Sequence, residues 1–393
     1  MANKIRSTEY VPFSPPCIGD EEIAEVLDTL RSDWLTTGPK TKAFEEQFAD
    51  AVGAEAGLAL NSCTAGLHLA LLGSGVGPGH EVITTPMTFA ATVNVIEHVG
   101  ARPVLVDVEP DTLNIDPDRV EAAITPLTRA ITAVHFAGHP ADMKSLREIA
   151  ARHDLSLIED AAHALPAKFD GRFVGGDSNY ASFSFYATKN MTTGEGGMLT
   201  GSRELVDRVR PFALHGISRD AWNRYGPGGS WAYDIVTPGF KYNMTDIQAW
   251  LGKWQLRKLG ACQKRRQEME EAYNEGFADF DEFELPAQRG EVEHAWHLYV
   301  LRIRQQASSL TRDKLMSKLA ENKIGASVHF IPIHVHSYYR EKYGFAPRDF
   351  PIALSNYQRA LSLPLSPRLT DSQVERVIDV VRGAVRQTQR RAA

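Results

Sequence analysis

The chain has 393 residues, 43% of them hydrophobic, and its 43 Lys and Arg against 49 Asp and Glu leave a net charge of −6. That is enough apolar content for a large core in two domains, while the mildly acidic balance excludes an electrostatic footprint for DNA, RNA or an anionic membrane. No apolar run of about 18 residues and no charged-then-apolar leader occurs, so a cytoplasmic protein is expected.

Pro12, Pro15 and Pro16 mark an extended arm leading to a helix over Asp20 to Ser32. Thr36, Thr37, Gly38 and Pro39 in WLTTGPK make a turn or a binding loop, ahead of an amphipathic helix over Thr41 to Val52. The strand GLALN, Gly57 to Asn61, runs into SCTAGLHLALLGSG, whose Leu67, Leu71 and Leu72 have helical spacing. Ser62 and Thr64 would stand at that helix's N-terminus, where free amides and the helix dipole favour a phosphate; a plain helix cap would use the same residues. From Glu81 the chain alternates EVITTP, a helix over Ala90 to Val99, PVLVDV, a helix over Pro117 to Ile124, AITAVHF, a helix over Ala141 to His153, and LSLIED. Short continuous apolar strands between helices predict an α/β fold with a mostly parallel sheet covered on both faces. Ligands bind such sheets at the carboxyl ends of the strands, and Asp107, His135 and Asp160 all fall there.

In YASFSFYATKNMTTGEGG, residues 180 to 197, serine and phenylalanine alternate with the period of a strand that has one packed face. Lys189 follows where that strand ends, and Gly194, Gly196 and Gly197 let backbone come close to a ligand, a setting that suits an amine reaching a carbonyl. Taken singly, Lys189 reads first as a solvated loop lysine, the default for an exposed lysine, and only further stretches of the chain change that. Residues 198 to 218 carry a strand and a helix, and 219 to 240 form a long ordered loop rich in Gly and aromatics. FKYNMTDIQAW opens a long helix to about Phe280. HLYVLRI and GASVHF read as strands, with helices over Arg312 to Asn322, Leu354 to Ala360 and Ser372 to Val385, which makes a smaller C-terminal α+β domain. The division expected is 1–250 for the arm and large domain and 251–393 for the linking helix and small domain.

Asp160 either caps the next helix or, 29 positions before Lys189, holds the protonated ring nitrogen of pyridoxal 5′-phosphate and so keeps the ring an electron sink. His163 would then reach the ring's phenolic oxygen. A phosphate cup at Ser62 to Ala65, the acid at Asp160 and the amine at Lys189 form one ordered set, to which Ser184 adds a phosphate contact and Phe89 a stacking face or a core residue. No GxGxxG follows a strand and no GxxxxGK[ST] occurs, which excludes the dinucleotide and P-loop alternatives. His334 and His336 form an HxH pair without a further ligand at metal spacing, so no metal site is expected. Cys17, Cys63 and Cys262 are odd in number and far apart, and read as small buried hydrophobes rather than a disulfide framework.

TTGPK (36–40), NSCTAGLHLAL (61–71), EDAAHA (159–164), SFYATKN (184–190) with GEGG (194–197), GFKYNMTDIQA (239–249) and HAWHLYVLRI (294–303) together resemble the DegT/StrS-type nucleotide-sugar aminotransferases over nearly the whole chain. The pattern is most similar to the members that make 4-amino-4-deoxy-arabinose on UDP. Tyr186 stands where the family often has His, and His163 where many members have Gln. The resemblance implies the aspartate-aminotransferase-like fold, fold type I among pyridoxal phosphate enzymes, in a homodimer with the active site at the subunit interface. It implies Lys189 as the lysine that carries the cofactor, Asp160 as the ring-nitrogen partner, Thr64, Ala65 and Ser184 as phosphate contacts, and Asn243 as a phosphate contact from the neighbouring subunit. The expected reaction is ping-pong transfer of an amino group from L-glutamate to a 4-keto sugar on a nucleoside diphosphate, in amino-sugar biosynthesis. Thr36, Thr37, Tyr186, His329, Phe330 and His334 are the substrate-side candidates, with packing as the alternative for the last three. Two alternatives stay open: the same chemistry on a 3-keto sugar or a keto-cyclitol, and a non-catalytic, cofactor-bound regulatory relative.

Overall fold

The computed structural model describes residues 9–32, 34–177, 179–218, 232–304 and 310–392. Helices α1 (Asp20–Arg31) and α2 (Pro39–Val52) precede β1 (Ala56–Leu60), α3 (Cys63–Gly73), β2 (Glu81–Thr84), α4 (Ala90–His98), β3 (Arg102–Leu105), α5 (Pro117–Ala122), β4 (Thr128–Val134), α6 (Met143–Arg152) and β5 (Ser156–Asp160). A short excursion, β6 (Lys168–Phe169) and β7 (Arg172–Phe173), leads to β8 (Tyr180–Ser184), β9 (Gly197–Gly201) and α7 (Arg203–Val209). The 32-residue α8 (Asp246–Phe277) then carries the chain to β10 (Phe283–Glu284), β11 (Val292–Glu293), β12 (Tyr299–Ile303), α9 (Arg312–Glu321), α10 (Ser337–Tyr343), α11 (Pro351–Arg359), β13 (Ala360–Leu363) and α12 (Asp371–Ala392).

The large sheet has seven strands in the order β1-β9-β8-β5-β4-β2-β3, and β9 alone runs against its neighbours. Its central strands β4 and β5 are buried except at Arg129 and Ser156 near their starts, as their apolar runs require when helices cover both faces. The alternation in β8 has a sharper meaning than one packed face. Phe183 and Phe185 pack edge-on against Phe48 of α2, with centroids 5.1 and 5.4 Å away. The opposite face meets α3, where Ser182 donates from Oγ to the Cys63 carbonyl at 2.9 Å. The strand is thus covered on both sides, and its serine face is the side that leads to the N-terminus of α3. Each buried phenylalanine there contributes about 1.5–3 kcal/mol of transfer free energy.

The second sheet, β10-β12-β13, anchors a separate core with α8, α9 and α12. GASVHF does not form the expected strand. Only Ser327 pairs, with Ser362, after which His329 turns aside and shares a hydrogen bond with the Ser362 hydroxyl at 2.8 Å. The segment that follows crosses back to the large sheet: the Ile333 amide donates to the Pro86 carbonyl and Tyr339 to Asn94. The arm at residues 9–17 threads between the same regions. Val11 bridges Ile324, Pro15 accepts from Ser366, Glu9 accepts from Arg376, and Ser14 donates to the carbonyl of Thr188, next to Lys189. Of the loop expected at 219–240, residues 219–231 lie outside the described residues; 232–240 are described, with Ile235 bridging Ile217.

Candidate active site

The ends of β5 and β8, the first turn of α3 and the returning segment at 329–330 enclose one cavity of 440 Å³, within the usual range of about 300–1,000 Å³ for small-molecule sites. Lys189, Asp160, Ser62, Thr64, Phe89, His163, Ser184, Tyr186, His329 and Phe330 line it, together with Cys63, Thr88, Glu195 and His297. The sequence alone singles out none of Thr88, Glu195 and His297, and marks Cys63 only as a small buried hydrophobe within the Ser62 to Ala65 cup. His297 sat inside the quoted HAWHLYVLRI, but nothing in its spacing shows that β12 begins at the cavity wall.

Lys189 is placed by a closed loop rather than by the strand end alone. Its amide donates to the Tyr186 carbonyl at 2.9 Å, the Phe185 amide donates to Gly196 at 2.9 Å, and the Thr193 amide returns to Phe185 at 3.0 Å. Gly194 takes φ +79°, a left-handed turn that a side chain resists, and Gln255 of α8 accepts from the Thr192 amide. Gly197 is required for a different reason from the one expected: a Cβ there would lie 2.5 Å from the Ser62 carbonyl carbon. The glycine lets backbone approach backbone, not ligand. Burial pushes the Lys189 amine down to about 8, against the pull of Cys63 and Asp160. At pH 7 roughly one molecule in ten then carries a neutral amine, against roughly three in ten thousand for an ordinary lysine.

Asp160 is 5% exposed. Its Oδ2 accepts from Thr92 Oγ1 at 2.7 Å, and its Oδ1 from the Ala162 amide at 3.2 Å, with the Cys63 thiol 3.9 Å away. Three imidazoles stand nearby. His163 and His297 have centroids 4.4 Å apart, and His163 stacks on Phe330 at 5.8 Å. Burial holds His163 and His297 well below the ordinary histidine value and takes His329 to about 4, so all three are neutral at physiological pH. Asn190 donates to the Leu165 and Ala295 carbonyls at 2.8 Å, which leaves its Oδ1 to accept from His297 Nδ1 at 3.1 Å and fixes that tautomer. His163 Nδ1 is buried with no partner.

At α3 the Ser62 hydroxyl accepts from the Ala65 amide at 3.1 Å and the Ser62 carbonyl from Gly66. Ser62 is thus a helix cap, and the amides of Cys63 and Thr64, the first two of the helix, have no intrahelical acceptor. Ala65 is not in the cavity wall, because its amide is taken by that cap and its side chain is buried in the core. Phe89 is 64% exposed at the cavity mouth, so it is not a core residue.

Several expected residues lie elsewhere. His334 is fully buried, shares a hydrogen bond with the Pro347 carbonyl and packs on Phe350, which makes it a packing residue. Thr36, Thr37 and Asn243 are outside this cavity; Asn243 donates to Thr37 Oγ1 at 2.6 Å, and Thr37 to the Met244 carbonyl at 2.5 Å. His135 is committed to Glu159 at 3.1 Å and to the Ala141 amide, and Asp107 caps α11 by accepting from Ile352 and Ala353. Among the described residues no group of three or more His, Cys, Asp or Glu is placed to hold a metal ion, and no helix is long and apolar enough to cross a membrane. All three cysteines are free thiols, with Cys63 and Cys262 buried and Cys17 partly exposed.

The chain is similar over nearly its whole length to known proteins. The model of the DegT/DnrJ/EryC1/StrS aminotransferase family matches residues 16–382. The spore coat polysaccharide biosynthesis protein SpsC of Bacillus subtilis is 48% identical over 383 residues, covering 97% of this chain and 98% of that protein. Spr1654 of Streptococcus pneumoniae, a candidate sugar aminotransferase solved in PLP-form and PMP-form, superposes with TM-scores of 0.89 and 0.90 at 36% and 35% identity. In the PLP-form the match covers 97% of this chain and 100% of that one. PseC of Helicobacter pylori, an aminotransferase of pseudaminic acid biosynthesis, superposes with a TM-score of 0.88 at 28% identity, covering 96% of this chain and all of that one.

Proposed function

The chain belongs to the DegT/DnrJ/EryC1/StrS aminotransferase family, pyridoxal phosphate enzymes of fold type I, and we propose that it transfers the amino group of L-glutamate to the C4 keto group of a nucleotide-activated sugar. The observation that carries this reading is the convergence of Lys189, Asp160 and the first turn of α3 on a single cavity. When bound, the cofactor supplies an electron sink that stabilises the carbanion left by proton removal, and it stores the amino group between two half-reactions.

The residues present fit that group. The free amides of Cys63 and Thr64, with Ser62 and Ser184, would hold the phosphate; Asp160 would hold the ring nitrogen; and the unpartnered Nδ1 shows that the His163 ring still has hydrogen-bonding capacity to spare beside it. Phe89 would cover the ring's open face. Lys189 is anchored on both sides of its loop, so its amine stays within reach when displaced by a substrate amine and serves as the base that moves a proton at the donor's α-carbon. A value near 8 keeps a working fraction of it neutral at pH 7. The neutral imidazoles add no charge to compete with Asp160. His329, Phe330 and Tyr186 would meet the sugar.

Ile23, Leu27 and Leu30 expose an apolar stripe along α1, and Asn243 with Thr37 stands outside its own cavity. Both features support a homodimer in which Thr36, Thr37 and Asn243 complete the partner's site. The reading keeps 1–250 as the cofactor-binding part and 251–393 as the smaller part, and it places the reaction in the cytoplasm. The test is an absorbance scan of the purified protein with pyridoxal phosphate, before and after L-glutamate. The visible band of the lysine-linked cofactor is expected to give way to a near-ultraviolet one, and to return when a 4-keto nucleotide sugar is added. A band indifferent to glutamate overturns the assigned donor, and a band restored only by a 3-keto sugar overturns the assigned carbon.

A further inference from the structure

Thr92 lies on α4, buried to 0% exposure, and Thr88 lies one turn earlier at 2%. Their hydroxyls are 2.7 Å apart, and Thr92 Oγ1 is 2.7 Å from Asp160 Oδ2. An ionised carboxylate only accepts, so Thr92 must give its single hydroxyl proton to Asp160. Thr92 Oγ1 is then left as an acceptor, so Thr88 must donate to it. Every proton in the chain points toward the carboxylate, and the hydroxyl oxygen of Thr88, a residue of the cavity wall, keeps lone pairs alone. The alternative polarity requires Asp160 to be protonated.

We propose that Thr92, backed by Thr88, is a positioning residue that holds Asp160 as an oriented anion for a cationic ring nitrogen. This rests on the pyridoxal phosphate reading above and deepens it. The arrangement suits a carboxylate kept open for a ligand: Thr92 and Ala162 donate to it, the Cys63 thiol 3.9 Å from Oδ1 has its one proton nearer the Ser182 carbonyl at 3.3 Å, and the remaining lone pairs are left for a ligand. A carboxylate serving only the fold is finished differently, as Asp107 is, with backbone amides on both oxygens. Thr92 is also too deep to touch a ligand itself, since it is absent from the cavity wall while Thr88 is part of it.

The experiment compares binding of two probes to the cofactor-free full-length chain: pyridoxal phosphate, and 1-deazapyridoxal phosphate, which has carbon where the ring nitrogen would be. Thr92→Val keeps the shape and removes the donor. It is expected to weaken pyridoxal phosphate by about tenfold or more, the usual size for a hydrogen bond to a charged group, while leaving the deaza probe within about twofold. Thr92→Ser should restore wild-type binding. Thr88→Val should cost a few-fold for pyridoxal phosphate alone, and nothing further when Thr92 is already Val. Equal losses for both probes, unchanged binding in Thr92→Val, or failure of Ser to rescue would each overturn the proposal. Should Thr92→Val not fold, Thr88→Val decides by whether it separates the two probes. If the wild-type chain binds pyridoxal phosphate no better than its deaza analogue, the role of Asp160 falls with it; if it binds neither, the cofactor reading itself has failed.

Discussion

Asp107, just past the carboxyl end of the edge strand β3, and Asp160, at the carboxyl end of the more central β5, belong to one sheet and have opposite fates. Asp107 is closed off. Its two oxygens accept from the amides of Val108, Ile352 and Ala353, so it joins β3 to the start of α11, and it has no place in the cavity wall. Asp160 has one hydroxyl on Oδ2, one amide and the more distant Cys63 thiol on Oδ1, no backbone amide from a distant element, and a place in the wall of the cavity that also holds Lys189. Position in the sheet is therefore not what makes a carboxylate functional; what matters is whether a distant part of the chain returns to satisfy it.

The hardest way to break this contrast is to empty the open site. Lys189→Ala should retain the melting temperature of the wild type and lower turnover by about ten-thousandfold or more, read from steady-state rates and a thermal scan on the same preparation. Exchanging the two aspartates in separate variants sharpens the contrast. Asp160→Asn is expected to lower kcat by about a hundredfold or more with stability within about 1 kcal/mol. Asp107→Ala is expected to cost about 2 kcal/mol in urea unfolding, as a lost helix cap with stranded amides, and to leave the kcat of the folded fraction unchanged. A smaller effect follows from the depressed lysine. Because only the neutral amine attacks a carbonyl and burial sets its value near 8, capture of pyridoxal phosphate by the cofactor-free protein should speed up about tenfold per pH unit up to pH 8 and then level off. A stopped-flow series that keeps rising past pH 9 would return Lys189 to the ordinary range. The smallest effect separates two histidines of one sequence stretch: His329→Ala should raise the sugar KM several-fold, and His334→Ala should leave KM alone and cost about 1–2 kcal/mol.

Those same residues show what was readable in advance. The parallel sheet, the strand ends and the order cup, acid, lysine all follow from local pattern, since strand periodicity and helix starts are encoded within a few residues. Lys189 and Asp160 were legible for that reason. Asp107 and His135 looked equivalent to Asp160 because their partners, Ile352 and Glu159, are set by contacts that no local pattern carries. His297 and Thr92 are not legible for the converse reason: His297 sits in a quoted motif and Thr92 in an ordinary helix, and each acquires its role only when β12 and α4 are brought against β5 and the loop after β8. His334 was misplaced because two histidines five residues apart straddle a turn that sends one to the cavity and the other to the core.

The arm at residues 9–17 has a consequence for the timing of synthesis. Ser14 supports the carbonyl next to Lys189, yet the arm's own seats are supplied by Ile324, Ser366 and Arg376. In a nascent polypeptide 351 residues separate Pro15 from its seat, and 367 separate Glu9 from its own. The earliest of these residues to leave the ribosome must wait for nearly all the rest before it can dock, so the lysine loop receives this support only after α12 has emerged, and a prematurely released chain would lack it.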